Sequence, residues 1–325
     1  MTNRVWFDAR SLSRGYTSGW ERYVRELAKY LPHLVDITLW TPKTNNHFSL
    51  LLSDFRNIES QYGHSIVHYP TYPPKQIKKD LKKIITIHDL TWWKFPETSS
   101  ILGKYYYKKN MEKAINQADV IITPSIAVKL EVNEKFLFPL DKIQVIQHGN
   151  SLPKGIRNKK AKPYFLSIGT IEPRKNLDFY SKAIKESKLS SQFDFIHVGR
   201  TAWGNLPDNF KTVSANSDQE LANLITNARA LVIPSKYEGF GLPILEAHAQ
   251  GTPVVMSNVK ALQELSNHQD LIFDLNDLDS LTNCLKQFSH ENSRLNSELI
   301  EVARDFTWLK SAQLHVKTYL GLLNE

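Results

Sequence analysis

Short apolar runs alternate with longer amphipathic stretches along most of the chain, a pattern that predicts parallel strands joined by crossover helices. In the first half the apolar runs predict strands at Val5–Phe7, Ile37–Trp40, Ile66–His68, Ile84–Ile87, Val120–Thr123 and Ile143–Ile146. The segment after Gly19 has the period of a helix. Tyr23, Val24, Leu27, Ala28 and Leu31 share one face, Glu21, Arg22, Arg25 and Lys29 the other, and Pro32 ends it. Between Leu152 and Pro163 the periodicity stops and Pro, Gly and five Lys/Arg residues take over, the composition of a linker. Beyond it, strands are predicted at Tyr164–Ile168, Phe193–Val198, Leu231–Ile233, Val254–Met256 and Leu271–Phe273, and an apolar helix at Trp308–Leu323. Two α/β domains follow, 1–155 and 160–307.

Composition narrows this only a little. The chain has 325 residues, 41% hydrophobic and 23% charged, as a globular protein does. Cys284 is its single cysteine, so an internal disulfide and a cysteine metal cluster are excluded, and a reducing cytoplasm is expected. Met1–Arg4 run straight into the first strand, predicting no signal peptide, and no stretch of about 18 apolar residues predicts a membrane span. The net charge of +8 gathers in Lys75–Lys83 and Lys104–Lys113, the second interleaved with Tyr105, Tyr106 and Tyr107. These stretches read either as solvated helix faces or as a patch that rests on an anionic membrane surface. Nucleic acid is not expected, because no nucleic-acid module is present.

The candidate chemistry lies where strands give way to helices. After the strand ending at Ile233 comes a glycine-bearing turn, then Pro243 where a helix begins and Gly251 where it should stop. Such a loop offers backbone N–H groups and a helix N-terminus at the carboxyl edge of a parallel sheet, a place that favours phosphate. Glu238 and Glu246 flank it; carboxylates do not ligate phosphate, so sugar and ribose hydroxyls are their natural partners. The same two residues also read as a turn carboxylate and a helix charge. Gly169-Thr170-Ile171-Glu172-Pro173-Arg174-Lys175-Asn176 follows the first strand of the second half and precedes a helix. Its Arg174 and Lys175 suit a diphosphate, or are simply exposed loop cations. His88 ends a strand of the first half, with Asp89 placed to hold its ring; a structural histidine reads the same way. Gly15-Tyr16-Thr17-Ser18-Gly19 is a flexible strand-to-helix turn able to approach phosphates, without the dinucleotide Gly-x-Gly-x-x-Gly pattern. Asp277-Leu278-Asp279 reads as a capped helix start, His248 as packing, and His148 and His197 join no constellation.

Taken together, these residues resemble glycosyltransferase family 4, retaining enzymes of the GT-B fold, and its mannosyltransferase-like bacterial members in particular. The resemblance is carried by Thr86–Leu90 with Phe95-Pro96-Glu97, Ile168–Asn176, Ser217–Leu221, Tyr237–Glu246, Gly251–Val255 and Phe306-Thr307-Trp308. The Glu-x7-Glu pair of Glu238 and Glu246 is the most specific of them. Two places depart from the family. Ser18-Gly19-Trp20-Glu21-Arg22-Tyr23 stands for a more glycine-rich Gly-Ile-Gly-Arg-Tyr, and Ser266–Asp270 is a shortened segment.

The resemblance implies two Rossmann-like domains facing each other across a cleft, with the final helix, 308–325, crossing back to the first. Arg174 and Lys175 would hold the donor diphosphate beside Gly169, helped by N–H groups of Phe240, Gly241 and Leu242. Glu246 would bind ribose, Glu238 the transferred sugar, and His88 would sit near the sugar's primary hydroxyl. The Gly15–Gly19 turn would approach the phosphates or the acceptor. It implies transfer of a hexose with retention, no metal and no cofactor beyond the nucleotide diphosphate sugar itself; Glu238 is a candidate nucleophile on chemistry, but a front-face attack with the diphosphate oxygen as base is the preferred reading. GDP-mannose is favoured, with UDP- and dTDP-sugars as alternatives. The acceptor would be a glycan or polyprenyl-diphosphate-linked glycan of surface polysaccharide, handled in the cytoplasm or peripherally at the inner face of the membrane. The alternative from a different class is a non-catalytic nucleotide-sugar-binding partner of another transferase.

Overall fold

The computed structural model describes residues 5–14, 19–41, 65–71, 81–98, 101–158, 162–290 and 296–324, with residues 13–14 and 101–107 described by backbone alone. The chain divides into two units, Met1–Gly149 with Thr307–Glu325, and Asn150–Phe306.

The first unit is built on six parallel strands: β1 (Val5–Asp8), β2 (Ile37–Trp40), β3 (Ile66–Tyr69), β4 (Lys82–Thr86), β5 (Val120–Thr123) and β6 (Ile143–Val145), in the order β2-β1-β3-β4-β5-β6. Its helices are α1 (Gly19–Tyr30), α2 (Thr91–Lys94), α3 (Ile101–Gln117), α4 (Ile126–Phe136) and, from the C-terminus, α11 (Trp308–Leu323). A parallel sheet covered on both faces needs apolar side chains at successive positions, because alternate residues point to opposite layers. Val5, Phe7, Ile66, Ile84 and Ile122 join the core under α1 and α11. Trp6, Val67, Ile85 and Ile121 join the opposite core, with Met111 of α3 and Val128 and Val132 of α4. Helix α1 stops at Tyr30 and a 3-10 turn built on Pro32 follows. Glu21 and Arg22, expected on its polar face, are instead buried, because the first turn of α1 is drawn in at the carboxyl edge of the sheet. Helix α11 starts behind Thr307, whose hydroxyl accepts the Lys310 N–H at 3.1 Å, and packs along α1.

The second unit repeats the plan. Strands β7 (Tyr164–Ile168), β8 (Asp194–Val198), β9 (Lys211–Thr212), β10 (Ala230–Ile233), β11 (Val254–Ser257) and β12 (Leu271–Phe273) run parallel in the order β12-β11-β10-β7-β8-β9. Helices α5 (Leu177–Ser187), α6 (Asp218–Asn227), α7 (Leu242–Ala249), α8 (Lys260–Gln263), α9 (Leu278–His290) and α10 (Ser297–Arg304) complete it. Strand β9 was invisible in the sequence: it is a two-residue edge with both side chains exposed, so no apolar run marks it. Asp277 accepts the N–H groups of Asp279 and Ser280 at 2.9 and 3.2 Å, the capped start that its spacing predicts for α9. The linker-like composition after Leu152 conceals a fastened segment. Gly155, Ile156 and Asn158 donate their N–H groups to Gln250, Asn223 and Asn227 of this unit, at 2.8, 2.7 and 2.6 Å.

Each sheet changes direction of growth once. In the first unit the reversal lies between β1 and β3, in the second between β7 and β10. Crevices at the carboxyl ends of strands on either side of such a reversal are where open α/β sheets bind ligands. Of the basic stretches, residues 75–80 and the side chains of 104–107 lie outside those described, while Lys108, Lys109 and Lys113 are exposed and Lys83 is buried; among the described residues no helix is long and apolar enough to cross a membrane. The two Rossmann-like sheets bear out the expected α/β fold.

Candidate functional site

Because β7 and β10 are paired neighbours, the loops that leave their carboxyl ends lie side by side. The first is shaped by glycine. Gly169 has φ +139°, donates its N–H to the Val198 carbonyl at 2.9 Å and accepts the His197 Nε2–H at 2.9 Å. A Cβ on Gly199 would lie 1.8 Å from the Gly169 oxygen, so that position admits only glycine. A Cβ on Gly169 would meet Lys175 Cε at 3.2 Å; its absence gives the lysine its channel. Pro173–Lys175 then make a 3-10 turn, and Asn176, at φ +56°, turns the chain into α5.

On this turn Arg174 and Lys175 converge on Glu238 from the second loop. Lys175 Nζ donates to Glu238 Oε1 at 2.5 Å and Arg174 Nη1 to Oε2 at 3.0 Å. Ser235 Oγ–H adds a third bond to Oε1 at 2.7 Å. Arg174 also donates to the Tyr237 carbonyl at 3.0 Å and pairs through Nε with Glu172 at 2.7 Å. All three charged side chains are mostly buried, with 15%, 14% and 12% of Arg174, Lys175 and Glu238 exposed. Burial alone would raise the Glu238 pKa, but Lys175 and Arg174 outweigh it and pull the carboxyl down to about 2. Burial and the adjacent Arg174 lower the Lys175 pKa against the pull of Glu238. Two cations and two carboxylates make a quartet that is neutral as a whole.

The second loop runs on into α7. Gly241, at φ +101°, precedes its first residue Leu242, Pro243 fills the first turn, and Phe240 is buried beside it. The opening N–H groups of any helix have no partner inside it and carry partial positive charge, so this terminus is suited to an anion. Glu246 lies one turn in, buried. His248, expected as packing, instead binds the buried Asp270 through Nε2 at 3.0 Å; Asp270 also accepts the Val254 and Asn267 N–H groups, tying α7 to the loop before β12.

The remaining candidates belong to the first unit. Gly15 lies outside the described residues, and Gly19 is the exposed first residue of α1, with open space where a side chain would project. His88 follows β4 at the carboxyl edge. Its Nε2 meets the Pro70 carbonyl at 2.8 Å, and Asp89, expected to hold the ring, instead accepts the Thr91 N–H at 2.9 Å. A carbonyl accepts only, so Nε2 carries the proton and Nδ1 of the neutral ring is an acceptor edge. Burial lowers the His88 pKa, keeping the ring neutral. Three rings wall it in: Trp20 stacked at 6.1 Å, Tyr23 edge-on at 4.7 Å and His148 tilted at 5.5 Å. His148 stands where it does because Gly149 lets the chain press on the start of α11; a Cβ there would come 2.2 Å from the Trp308 nitrogen.

Reasoning from the sequence missed His197, Gly199, Ser235 and His148. Only Gly199 left a usable sign: it follows β8 as Gly169 follows β7. Among the described residues no group of three His, Cys, Asp or Glu side chains is placed to hold a metal.

Residues 150–306 match the family described as glycosyl transferases group 1, and residues 46–152 match glycosyltransferase family 4. The chain is 28% identical over 289 residues to O-antigen chain mannosyltransferase B of Escherichia coli, covering 79% of this chain and 74% of that one. It is 29% identical over 228 residues to the O-antigen chain mannosyltransferase RfbU of Salmonella typhimurium, covering 66% and 63%. Among solved structures, a sucrose-phosphate synthase from Thermosynechococcus elongatus superposes with TM-score 0.80 at 19% identity, covering 99% of each chain. Anabaena HepE, solved with UDP and glucose, gives 0.73 at 16% identity, covering 98% and 100%.

Proposed function

This chain is a glycosyltransferase of family 4 with the GT-B fold, and we propose that it moves a hexose from a nucleotide diphosphate sugar to a glycan or lipid-linked acceptor of surface polysaccharide. The observation that carries the reading is the meeting of Lys175, Arg174 and Glu238 beside the N-terminus of α7, at the reversal of the second sheet. Lys175 and the first turn of α7 take the diphosphate, Glu246 the ribose, Glu238 the sugar, and His88 a sugar hydroxyl. GDP-mannose is the favoured donor, a preference supported by the two O-antigen mannosyltransferase relatives; UDP- and dTDP-sugars are the alternatives. The acceptor is met at the inner face of the membrane.

In the proposed step the bond from the anomeric carbon to the diphosphate breaks as the acceptor oxygen attacks the same face. The acceptor's proton passes to a diphosphate oxygen, and the nucleoside diphosphate leaves. Negative charge grows on that leaving group, and fixed donors aimed at growing charge contribute most to catalysis. Loss of Lys175 is expected to add on the order of 2–4 kcal/mol to the barrier, by analogy with lost oxyanion donors. These cations serve the diphosphate in place of a metal ion.

A thermal-shift panel of GDP, UDP, dTDP, ADP and CDP, with and without magnesium, tests the reading. A ligand at a hundred times its Kd adds about 2.7 kcal/mol of apparent stability. One magnesium-independent winner, lost in Lys175→Ala, supports the assignment and fixes the base. No shift with any nucleotide would sink it, whereas binding without transfer or donor hydrolysis would favour a non-catalytic nucleotide-sugar-binding partner.

A further inference from the structure

Behind His88 lies a buried polar chain that the proposed reaction does not use. His315 Nδ1 meets the Ser311 carbonyl at 2.7 Å, so Nδ1 is the protonated nitrogen and Nε2 an acceptor. Tyr23 O–H donates to that Nε2 at 2.7 Å, and its oxygen accepts from Thr86 O–H at 3.1 Å. Thr86 Oγ1 in turn accepts His68 Nε2–H at 2.8 Å, and His68 Nδ1 accepts Tyr319 O–H at 2.7 Å. One backbone carbonyl therefore fixes the direction of every bond and the tautomer of both histidines. Ser311, His315 and Tyr319 are spaced by four along α11, one face of the helix, and all three are buried.

An apolar stripe would close the core at least as well, since buried polar groups are costly unless every one is satisfied. What this chain holds is the ring of Tyr23, 1% exposed, pinned through its hydroxyl from two sides. That ring is the perpendicular wall of His88 at 4.7 Å, and it touches His148 at 5.0 Å and Trp308 at 6.0 Å. Without it, the Pro70 bond, the stacked Trp20 and the tilted His148 would be left to hold the His88 ring, with no perpendicular wall.

The geometry points to Tyr23 and His315 as positioning residues for His88, so that the C-terminal helix sets the orientation and tautomer of a residue at the sheet edge. The functional weight of this rests on the reading of His88 given above, but its first test needs no substrate. Long-range 1H–15N spectra of the histidines, with His88 identified through His88→Gln, report which nitrogen is protonated and where the ring titrates. In the native protein His88 should be the Nε2–H form and titrate below 6.5, the ordinary histidine value. In Tyr23→Phe and His315→Leu, its midpoint should rise and both tautomers should appear. His315→Gln, whose amide oxygen can accept the Tyr23 O–H, should restore the native spectrum.

Transfer should follow the same order. The kcat should fall on the order of ten- to a hundredfold in Tyr23→Phe, the size expected for a misplaced contact, with nucleotide KM unchanged. If both disrupted variants lose stability while the His88 spectrum and titration stay native, the chain is structural only and the inference is wrong. Should His315→Leu fail to fold, Tyr23→Phe, which keeps the ring, decides. A shifted His88 in a protein that binds no nucleotide would leave the positioning intact and sink the proposed function instead.

Discussion

Acidification should unfold the first unit well before it titrates any ordinary carboxylate. Burial holds His68, His88, His148 and His315 neutral, each with its pKa lowered, His315 to about 4. In the unfolded chain each titrates near 6.5. Between the two values the unfolded state binds more protons, so stability is present in full above about 6.5 and falls as pH falls. For His315 alone the loss from pH 7.5 to pH 5 is about 2 kcal/mol, at about 1.4 kcal/mol per pH unit below 6.5. The other three act in the same direction, against a total stability of about 5–15 kcal/mol for an ordinary domain. Asp8 opposes them: burial raises its pKa, so acid favours its native form, but it binds one proton at most. Glu238, at about 2, responds only below the histidine window. Six of the seven tryptophans lie in the first unit, so tryptophan fluorescence in urea, run at pH 7.5, 6.5, 5.5 and 5, follows the right transition. The unfolding free energy should slope by at least one proton below pH 6.5, and His315→Gln should reduce that slope by about one proton. A flat profile would mean these histidines carry protons in the folded state, and the directional chain drawn through His315 and His68 would be wrong.

Five further outcomes are expected. Lys175→Ala should weaken nucleoside diphosphate binding on the order of a hundredfold in calorimetry. Arg174→Ala should chiefly lower thermal stability, because Arg174 already serves Glu172, Tyr237 and Glu238. Glu238→Gln should bind the bare nucleoside diphosphate about tenfold more tightly, since an anion competing for Lys175 loses its charge, while transfer falls; weaker binding of both would count against the counter-ion role. Gly199→Ala should cost about 1–3 kcal/mol in urea denaturation and reduce nucleotide affinity, because its Cβ displaces the Gly169 carbonyl. Burial raises the Cys284 thiol to about 11, so alkylation at pH 7.5 should run about a hundredfold slower than with a free thiol, read by mass spectrometry.

The sequence made most of the fold legible because both sheets are buried on two faces, and a strand such as Ala230–Ile233 must then be apolar throughout. Only β9, with nothing to bury, escaped. The loops at the carboxyl ends of β7 and β10 were legible for a related reason: Gly169, Gly241 and Pro243 are demanded by backbone geometry, which leaves its mark in residue type. Side-chain partnerships leave no such mark. Nothing in the spacing of Tyr23, Thr86 and His315 says that they meet, since they come from α1, β4 and α11, and Tyr23 and His315 are 292 positions apart. Glu21 and Arg22 were misread for the converse reason: helical period assigns a face, not a depth, and in the first turn of α1 both of these charged residues are buried although Gly19 is exposed. Asp89 lost the His88 ring to Pro70 because an aspartate two residues before a helix-forming N–H is already committed to it.

The quartet in the second unit bears on how one carboxylate can be both counter-ion and sugar contact. Without a ligand, Glu238 and Glu172 together neutralise Lys175 and Arg174, which lets two cations stand adjacent and largely buried. A diphosphate arriving at Lys175 brings at least two negative charges to a neutral group, so Glu238 and the phosphate oxygens then compete for the same N–H donors. Arg174 has acceptors in Glu172 and the Tyr237 carbonyl that do not leave, and it keeps the 173–175 turn in place during the exchange. On the proposed reading Lys175 exchanges Glu238 for phosphate; Oε1 keeps Ser235 and gains room for a hydroxyl, while Oε2 stays with Arg174. On that reading the sugar hydroxyl is thus engaged only after the diphosphate is seated. This ordering makes a free sugar a poor ligand and a bare nucleoside diphosphate a good one. It also accounts for opposite expected effects of Glu238→Gln on binding and on transfer, which no purely structural role for that carboxylate would produce.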